Sequence, residues 1–523
     1  MSLPSNSRQN LFLSVFFVLL AGLGAVVHGD FGISWDEPIQ RQYGQVVYDY
    51  VFSGDTSLQT DHERYYGPVV EMALLLAEKA VFSDDLGGAF RFRHLLTFFI
   101  FCFGVYCFFL LCRKVCGDWR WGMVGAVFLV CSPRIFGHAF FNSKDIPFMA
   151  LFIAAMVSGL KMIETKSMKH VVLHSLFSGV LVSIRVVGAF VPLTIGLFYF
   201  VGLIYERGTN ETLRQRMKVV LIAYWKQFGC FLFGISAIVV LLWPTLWQNP
   251  VSAFIQALRQ MSHFPWGGTV LYMGEYIKSD ALPWHYLPVW FFLTTPPVYI
   301  LFFIGSLVWV GFLVSKGDFF RRPEAFSVVL CIIWLFVPFL IIIGSKAVLY
   351  DGWRHVFFLY PPILALAVYG MSRVWASRLL HASVKWGVLG LVGLSSLNTM
   401  NQMRLIHPYQ HVYFNAFAGH MSAVKARYEL DYWGLSYFET LSGLCRLHPD
   451  GTLNVYADNF PGIANGVMLS DRDRQRLVFV EAPKQADYFV TNFRWRTTPI
   501  PLEPIYSSSV RGVALSSAFR MPK

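Results

Sequence analysis

The chain has 523 residues, of which 55% are hydrophobic, 17% aromatic and only 14% charged. A soluble protein carries about 25% charged residues, so this composition excludes a soluble domain with a single anchor and points to a polytopic membrane protein. The net charge of +12 does not signal nucleic acid, because the basic residues fall in short clusters between apolar stretches and form no aromatic-interleaved stripe.

In chain order, residues 11–28 are the first apolar run. No A-x-A-like cleavage site follows it, so it reads as a transmembrane helix and not as a signal peptide. Hydropathy then suggests about eleven membrane segments. They cover 11–28, 94–112, 120–132, 146–163, 171–184, 187–205, 227–247, 287–314, 325–343, 356–370 and 385–400. The fifth is short, and Arg185 breaks the apolar stretch between it and the sixth. That pair suits a half-span hairpin lining a cavity, since polar backbone at membrane depth needs protein or water around it.

Charge orients the chain. Arg113, Lys114, Lys161, Arg214, Arg321 and Arg373 fall in alternate loops with other basic residues, and the intervening loops hold few. The expected N-terminus is therefore cytoplasmic and the C-terminus extracytoplasmic. Residues 29–93 form an acid-rich first outer loop with a helical piece at Val69–Val81, and residues 248–286 form a second outer loop. Residues 1–400 are expected as the membrane domain, followed by a soluble α/β domain over 401–523. Its strands are expected at Leu453–Tyr456, Leu477–Val480 and Tyr488–Thr491. The eight cysteines show no zinc spacing, and Cys445 stands alone in the tail.

Four groups on the outer side can do chemistry: Asp36-Glu37, Asn142-Ser143-Lys144-Asp145, Arg185, and Asp351-Gly352-Trp353-Arg354-His355. Together they suit transfer of a sugar from a lipid phosphate. A carboxylate takes the acceptor's proton, and cations hold the departing phosphate, which leaves without a general acid. Asp36 is the candidate base. Lys144, Arg185 and Arg354 are candidate phosphate ligands, and Asp145 orients the acceptor or Lys144 or shares a divalent metal with Asp36. Acids near a phosphate fit a metal-assisted and a metal-free site equally. Each group also has a plainer reading. Asp36-Glu37 caps the helix that follows, Lys144-Asp145 is an interfacial ion pair, Arg185 snorkels to headgroups, and Arg354-His355 anchors a helix end. His62, Glu63 and Arg64 read as solvated loop residues.

These residues resemble the GT-C glycosyltransferases, and among them the dolichyl-phosphate-mannose protein mannosyltransferase and lipid A aminoarabinose transferase group. The resemblance rests on Trp35-Asp36-Glu37 after the first helix, Tyr65-Tyr66-Gly67-Pro68, Asn142 to Pro147, and Arg354-His355 leading into Tyr360-Pro361-Pro362. His407 to Asn415 and Glu429 to Gly434 add to it, so that it spans roughly residues 10–440. It implies a mainly α, GT-C-like fold and a polyprenyl-phosphate-sugar donor, with inversion at the sugar carbon. It also implies Asp36 or Glu37 as base, with Asp145 as a second acid beside it. Lys144, Arg185, Arg354 and His355 would bind the donor phosphate, and Arg64, Tyr65 and Tyr66 would touch substrate. No MIR-type sugar-binding module is present, which leaves the acceptor open among glycan, lipid and protein. A transporter or flippase for a lipid-linked substrate is the competing class, but the chain shows no internal repeat and its charges gather at one face.

Overall fold

Caps and turns set the ends of several helices. The computed structural model describes residues 5–82, 85–207, 211–262, 266–496 and 498–522. The helix Leu86–Cys116 starts where the Asp85 side chain accepts from the Gly88 amide and stops at Gly117, whose φ of 80° no other residue adopts as cheaply. Arg113 and Lys114 sit in its last turn, where cations favour the helix C-terminus. The helix Asp145–Thr165 begins where Asn142 Oδ1 accepts the Asp145 amide at 2.8 Å.

Among the described residues, eight helices are long and apolar enough to cross a membrane. The chain is therefore an integral membrane protein, mainly α, with a small strand-containing part near its C-terminus. Eight of the segments read from the sequence correspond to these helices. The third is a broken pair, Trp119–Val130 and Pro133–Phe141, bent by 69°. Ser132-Pro133 causes the break, because the proline ring cannot continue the helix but suits a new first turn. The fifth is the shorter apolar helix Met168–Val182. The last, Ala382–Leu405, lacks the apolarity of a span, since Lys385, Asn398, Asn401 and Gln402 interrupt it.

The loop helix Val69–Val81 has the bounds read from its periodicity. It packs beside Asp36–Ser53, the helix expected to follow the Asp36-Glu37 pair. Near the C-terminus, five strands lie in the order Leu477–Phe479, Leu453–Ala457, Tyr488–Thr491, Val513–Arg520, Pro504–Val510. The first three are parallel and the last two antiparallel to their neighbours. Three of these strands were expected. The final hairpin was not, because its serine-rich run Ser507-Ser508-Ser509 carries little apolar alternation. The helix Tyr437–Leu447 covers one face, burying Leu441 and Leu444 against Val455, Val490 and Ala518.

The chain between helix bundle and sheet belongs to the bundle core. Ile406, Val412, Phe414, Tyr432 and Trp433 are buried with the membrane helices. Asn465, from beside the sheet, reaches back to the first loop: its Oδ1 accepts from the Ile33 amide at 2.8 Å and its Nδ2 donates to the Ile33 carbonyl at 2.9 Å. The Trp35 amide donates to the Trp433 carbonyl at 3.0 Å. These bonds fix the chain just before Asp36.

Candidate active site

The adjacent acids at the start of the helix Asp36–Ser53 part company. Glu37 turns inward and is 4% exposed. Its Oε2 accepts from the Ser34 amide at 2.7 Å and its Oε1 pairs with His94 Nε2 at 2.7 Å. It thus holds a helix start and tethers it to the helix Leu86–Cys116. Asp36 is 31% exposed at its side chain and faces a cavity. The capping and chemical readings of the pair fall on different residues.

Arg354 is the hub. Its Nη1 donates to Asp36 Oδ2 at 2.7 Å and lies 3.7 Å from Asp145 Oδ2. The guanidinium also stacks 4.3 Å from the Trp433 ring centre and 5.0 Å from that of Tyr350. Asp351 and Gly352 precede it with φ of 42° and 74°, a left-handed turn that brings the start of this helix round to face Asp36. Asp145 is buried and fully engaged. It accepts Arg185 Nη1 at 2.6 Å and Asn142 Nδ2 at 3.0 Å. Lys144 Nζ donates to Glu63 at 3.2 Å and lies 3.4 Å above the Tyr66 ring.

Gly67 explains how Tyr66 comes to stand there. A Cβ at Gly67 would run into the Ser183 carbonyl, so only glycine lets the first loop lie on the hairpin that leads to Arg185. Tyr66 is in consequence within 6.0 Å of the Arg185 guanidinium. Arg64 and Tyr65 of the same loop contact each other at 2.8 Å and line neither cavity described below.

Asp36, Glu63, Lys144, Arg354 and the aromatic rings of Trp35, Tyr66, Tyr350 and Trp433 line a cavity of about 220 Å³. A second cavity of about 160 Å³ adjoins it, with Arg185 and His355 among otherwise apolar walls such as Val187, Ile342 and Leu349. Tyr66 and Tyr350 line both and so stand between a charged chamber and an apolar one.

Burial pushes the Asp36 carboxyl up, but Arg354, Lys144 and Arg494 together outweigh it and hold the group below its ordinary range. Asp36 is therefore ionised at neutral pH. Asp351 goes the other way: burial raises it more than Arg494 and Arg354 lower it.

The sequence reading passed over three contributors. Glu63, read as solvated, holds Lys144. Arg494 comes from the loop after the strand Tyr488–Thr491. It donates to Asp351, bonds the Tyr432 carbonyl at 2.6 Å, and sits over Trp35 and Trp495 at 4.9 and 4.2 Å. Trp433 stacks on Arg354. Only the last had a signal, in the run Glu429 to Gly434. The donor set does not fit a metal centre. Asp36 and Asp145 share a guanidinium, and among the described residues no group of three or more His, Cys, Asp or Glu is placed to hold an ion.

No family model and no curated protein matches the sequence. ArnT from Cupriavidus metallidurans bound to undecaprenyl phosphate is similar to this chain, with 13% identity, a TM-score of 0.47, and coverage of 97% of this chain and 98% of that one. Its apo state gives 14% identity, a TM-score of 0.47 and the same coverage. The apo oligosaccharyltransferase of Archaeoglobus fulgidus gives 10% identity and a TM-score of 0.48 over 91% of this chain. This chain spans 66% of that oligosaccharyltransferase.

Proposed function

We propose that this protein is a membrane glycosyltransferase that moves a monosaccharide from a polyprenyl-phosphate carrier to an acceptor hydroxyl, with inversion at the sugar carbon. One observation carries the reading: an ionised, partly exposed carboxylate paired with a buried arginine, where a charged chamber meets an apolar one. The polyprenyl chain lies in the apolar chamber beside Val187 and Leu349. Its phosphate sits between Lys144, Arg185 and Arg354 near His355, and the sugar projects past Tyr66 and Tyr350 toward Asp36.

Asp36 accepts the proton of the acceptor hydroxyl as that oxygen attacks the anomeric carbon. The bond from that carbon to the phosphate oxygen breaks on the opposite side. The phosphate leaves with one more negative charge, which Lys144 and the two arginines stabilise in a site largely closed to water. Asp145 touches no substrate in this scheme. It positions Arg185 and Arg354, and Glu63 does the same for Lys144. The charge pattern of the loops supports the extracytoplasmic face for the reaction, with acceptors among cell-envelope glycans, lipids and proteins.

The test is to mix purified protein with a polyprenyl-phosphate sugar and candidate acceptors and to follow free polyprenyl phosphate. Wild type releases it and Asp36→Asn does not, while the variant still retains donor. Equal release by the two proteins removes Asp36 as the base. No release with any donor removes the glycosyl-transfer reading.

A further inference from the structure

A further cavity lies away from this site. It encloses about 780 Å³, within the range of small-ligand pockets. Its walls come from the C-terminal halves of the helices Leu86–Cys116 and Asp145–Thr165 and from the helix Met168–Val182. The depth along each wall is read from residue numbers. On the first helix the lining runs from Phe103 to Arg113 and Lys114, and on the second from Ala154 to Lys161 and Glu164. At 1.5 Å per residue each wall is about 15 Å long. The third wall runs antiparallel and is shorter, about 10 Å, with Phe177 at the deep end and His170 at the shallow one. The cavity is therefore apolar at mid-depth and charged at its mouth. Asp145 and Glu164 lie at opposite ends of one helix, so this mouth is about 28 Å from the Asp36–Arg354 site.

The charge at the mouth is positive. Lys114 and Lys161 both pair with Glu164, two cations on one carboxylate. Arg113 is exposed and makes no ion pair among the described residues. Glu324, the other acid at the mouth, is taken by Arg373 at 3.0 Å. His170 hydrogen-bonds Thr165 and Ser167. An apolar slot about 15 Å deep with surplus Lys and Arg at its rim has the polarity of one lipid molecule, chain inward and anionic headgroup at the surface.

We infer that this cavity is a binding site for an anionic glycerophospholipid of the leaflet opposite the Asp36–Arg354 site. The acyl chain lies along Leu110, Val157 and Leu173, with the stacked Phe103 and Phe177 rings closing the deep end, and the phosphate meets Arg113, Lys114 and Lys161. The site owes nothing to the proposed transfer reaction and holds whether or not that reaction is correct.

Native mass spectrometry of the full-length protein in detergent tests it, with dioleoyl phosphatidylglycerol and dioleoyl phosphatidylethanolamine as probes. Wild type should retain the anionic lipid at lower concentration than the zwitterionic one. Arg113→Gln and Lys161→Gln change exposed side chains and should each weaken retention roughly five-fold, about the effect of one cation near a lipid headgroup. Val157→Trp, which fills the slot without touching charge, should abolish retention while the protein still elutes as wild type does. Inorganic phosphate should not displace the lipid. Equal retention of both lipids, retention unchanged in all three variants, or displacement by inorganic phosphate or by polyprenyl phosphate at equal concentration would each overturn the assignment.

Discussion

Arg354 donates to Asp36 at 2.7 Å across 318 residues of chain, and the same guanidinium reaches toward Asp145. The pairing couples the two halves of the proposed reaction. Among the groups that lower Asp36, Arg354 acts most strongly, so a phosphate that draws Arg354 to itself leaves Asp36 a stronger base. Donor binding would thereby prepare the base for the acceptor.

This coupling has a signature in pH–rate profiles. Asp36 is depressed in the free protein, so the acid limb of kcat/KM should lie below the ordinary carboxylate range. The acid limb of kcat, which reports the substrate complex, should lie higher. In Arg354→Gln the free-protein limb should rise toward the ordinary value. Coincident limbs in wild type would show that the donor leaves the pair intact.

The two neighbouring acids should separate by phenotype. Asp36→Asn removes the proposed base and should lower turnover by about 100-fold or more with little change in Tm. Glu37→Gln should keep turnover within about ten-fold but lower Tm, because it leaves the Ser34 amide and His94 with a weaker partner in a buried setting. Turnover and thermal unfolding measured on both variants check this, and the reverse pattern would exchange their roles.

Arg494 and Asp351 form a buried pair whose members depend on each other, with side-chain exposures of 7% and 3%. Arg494→Ala should destabilise by about 3 kcal/mol, since it strands a buried carboxylate. Asp351→Asn combined with Arg494→Ala should recover part of that loss. A double-mutant cycle in denaturant or heat measures the coupling, and strict additivity would argue against it.

Glu429 gives stability its own pH dependence. Burial and then Asp351 push its carboxyl up to about 7, against the lowering by Arg494. The folded protein therefore binds a proton that the unfolded chain has released, so stability from this group falls as pH rises from about 4.5 to about 7. Tm should drop across that window in wild type, and the drop should shrink in Glu429→Gln. A Tm profile of the same slope in both proteins would remove Glu429 as its source.

The residues most legible in the sequence were those whose charge is costly where they lie. Lys144, Asp145, Arg185 and Arg354 stand at the edges of apolar runs, and a charge there demands a partner. The structure places all four in one cluster with Asp36. Glu63 and Arg494 gave no such signal, because a charge in a polar loop needs no explanation until the fold brings it to a cavity. Trp433 lay within the run Glu429 to Gly434 that added to the resemblance, but nothing singled it out there from the many aromatic side chains whose default place is a core. The helix count shifted where local chemistry overrode hydropathy: Ser132-Pro133 splits one apolar run, and the polar residues of Ala382–Leu405 dilute another. The strands Leu453–Ala457 and Tyr488–Thr491 were visible as apolar runs, whereas the last hairpin is held by pairing that no run of side chains announces.

The Asn465 clamp on Ile33 ties residues that are 432 apart in the chain. Together with Arg494 it means that the walls around Asp36 are finished by a segment synthesised long after the acid itself. During biosynthesis the base, the lysine and the two inner arginines can gather first, in a pocket still open on one side. The sheet and its loops then act as the keystone of an arch: small and late, yet the piece that closes the wall beside Asp36.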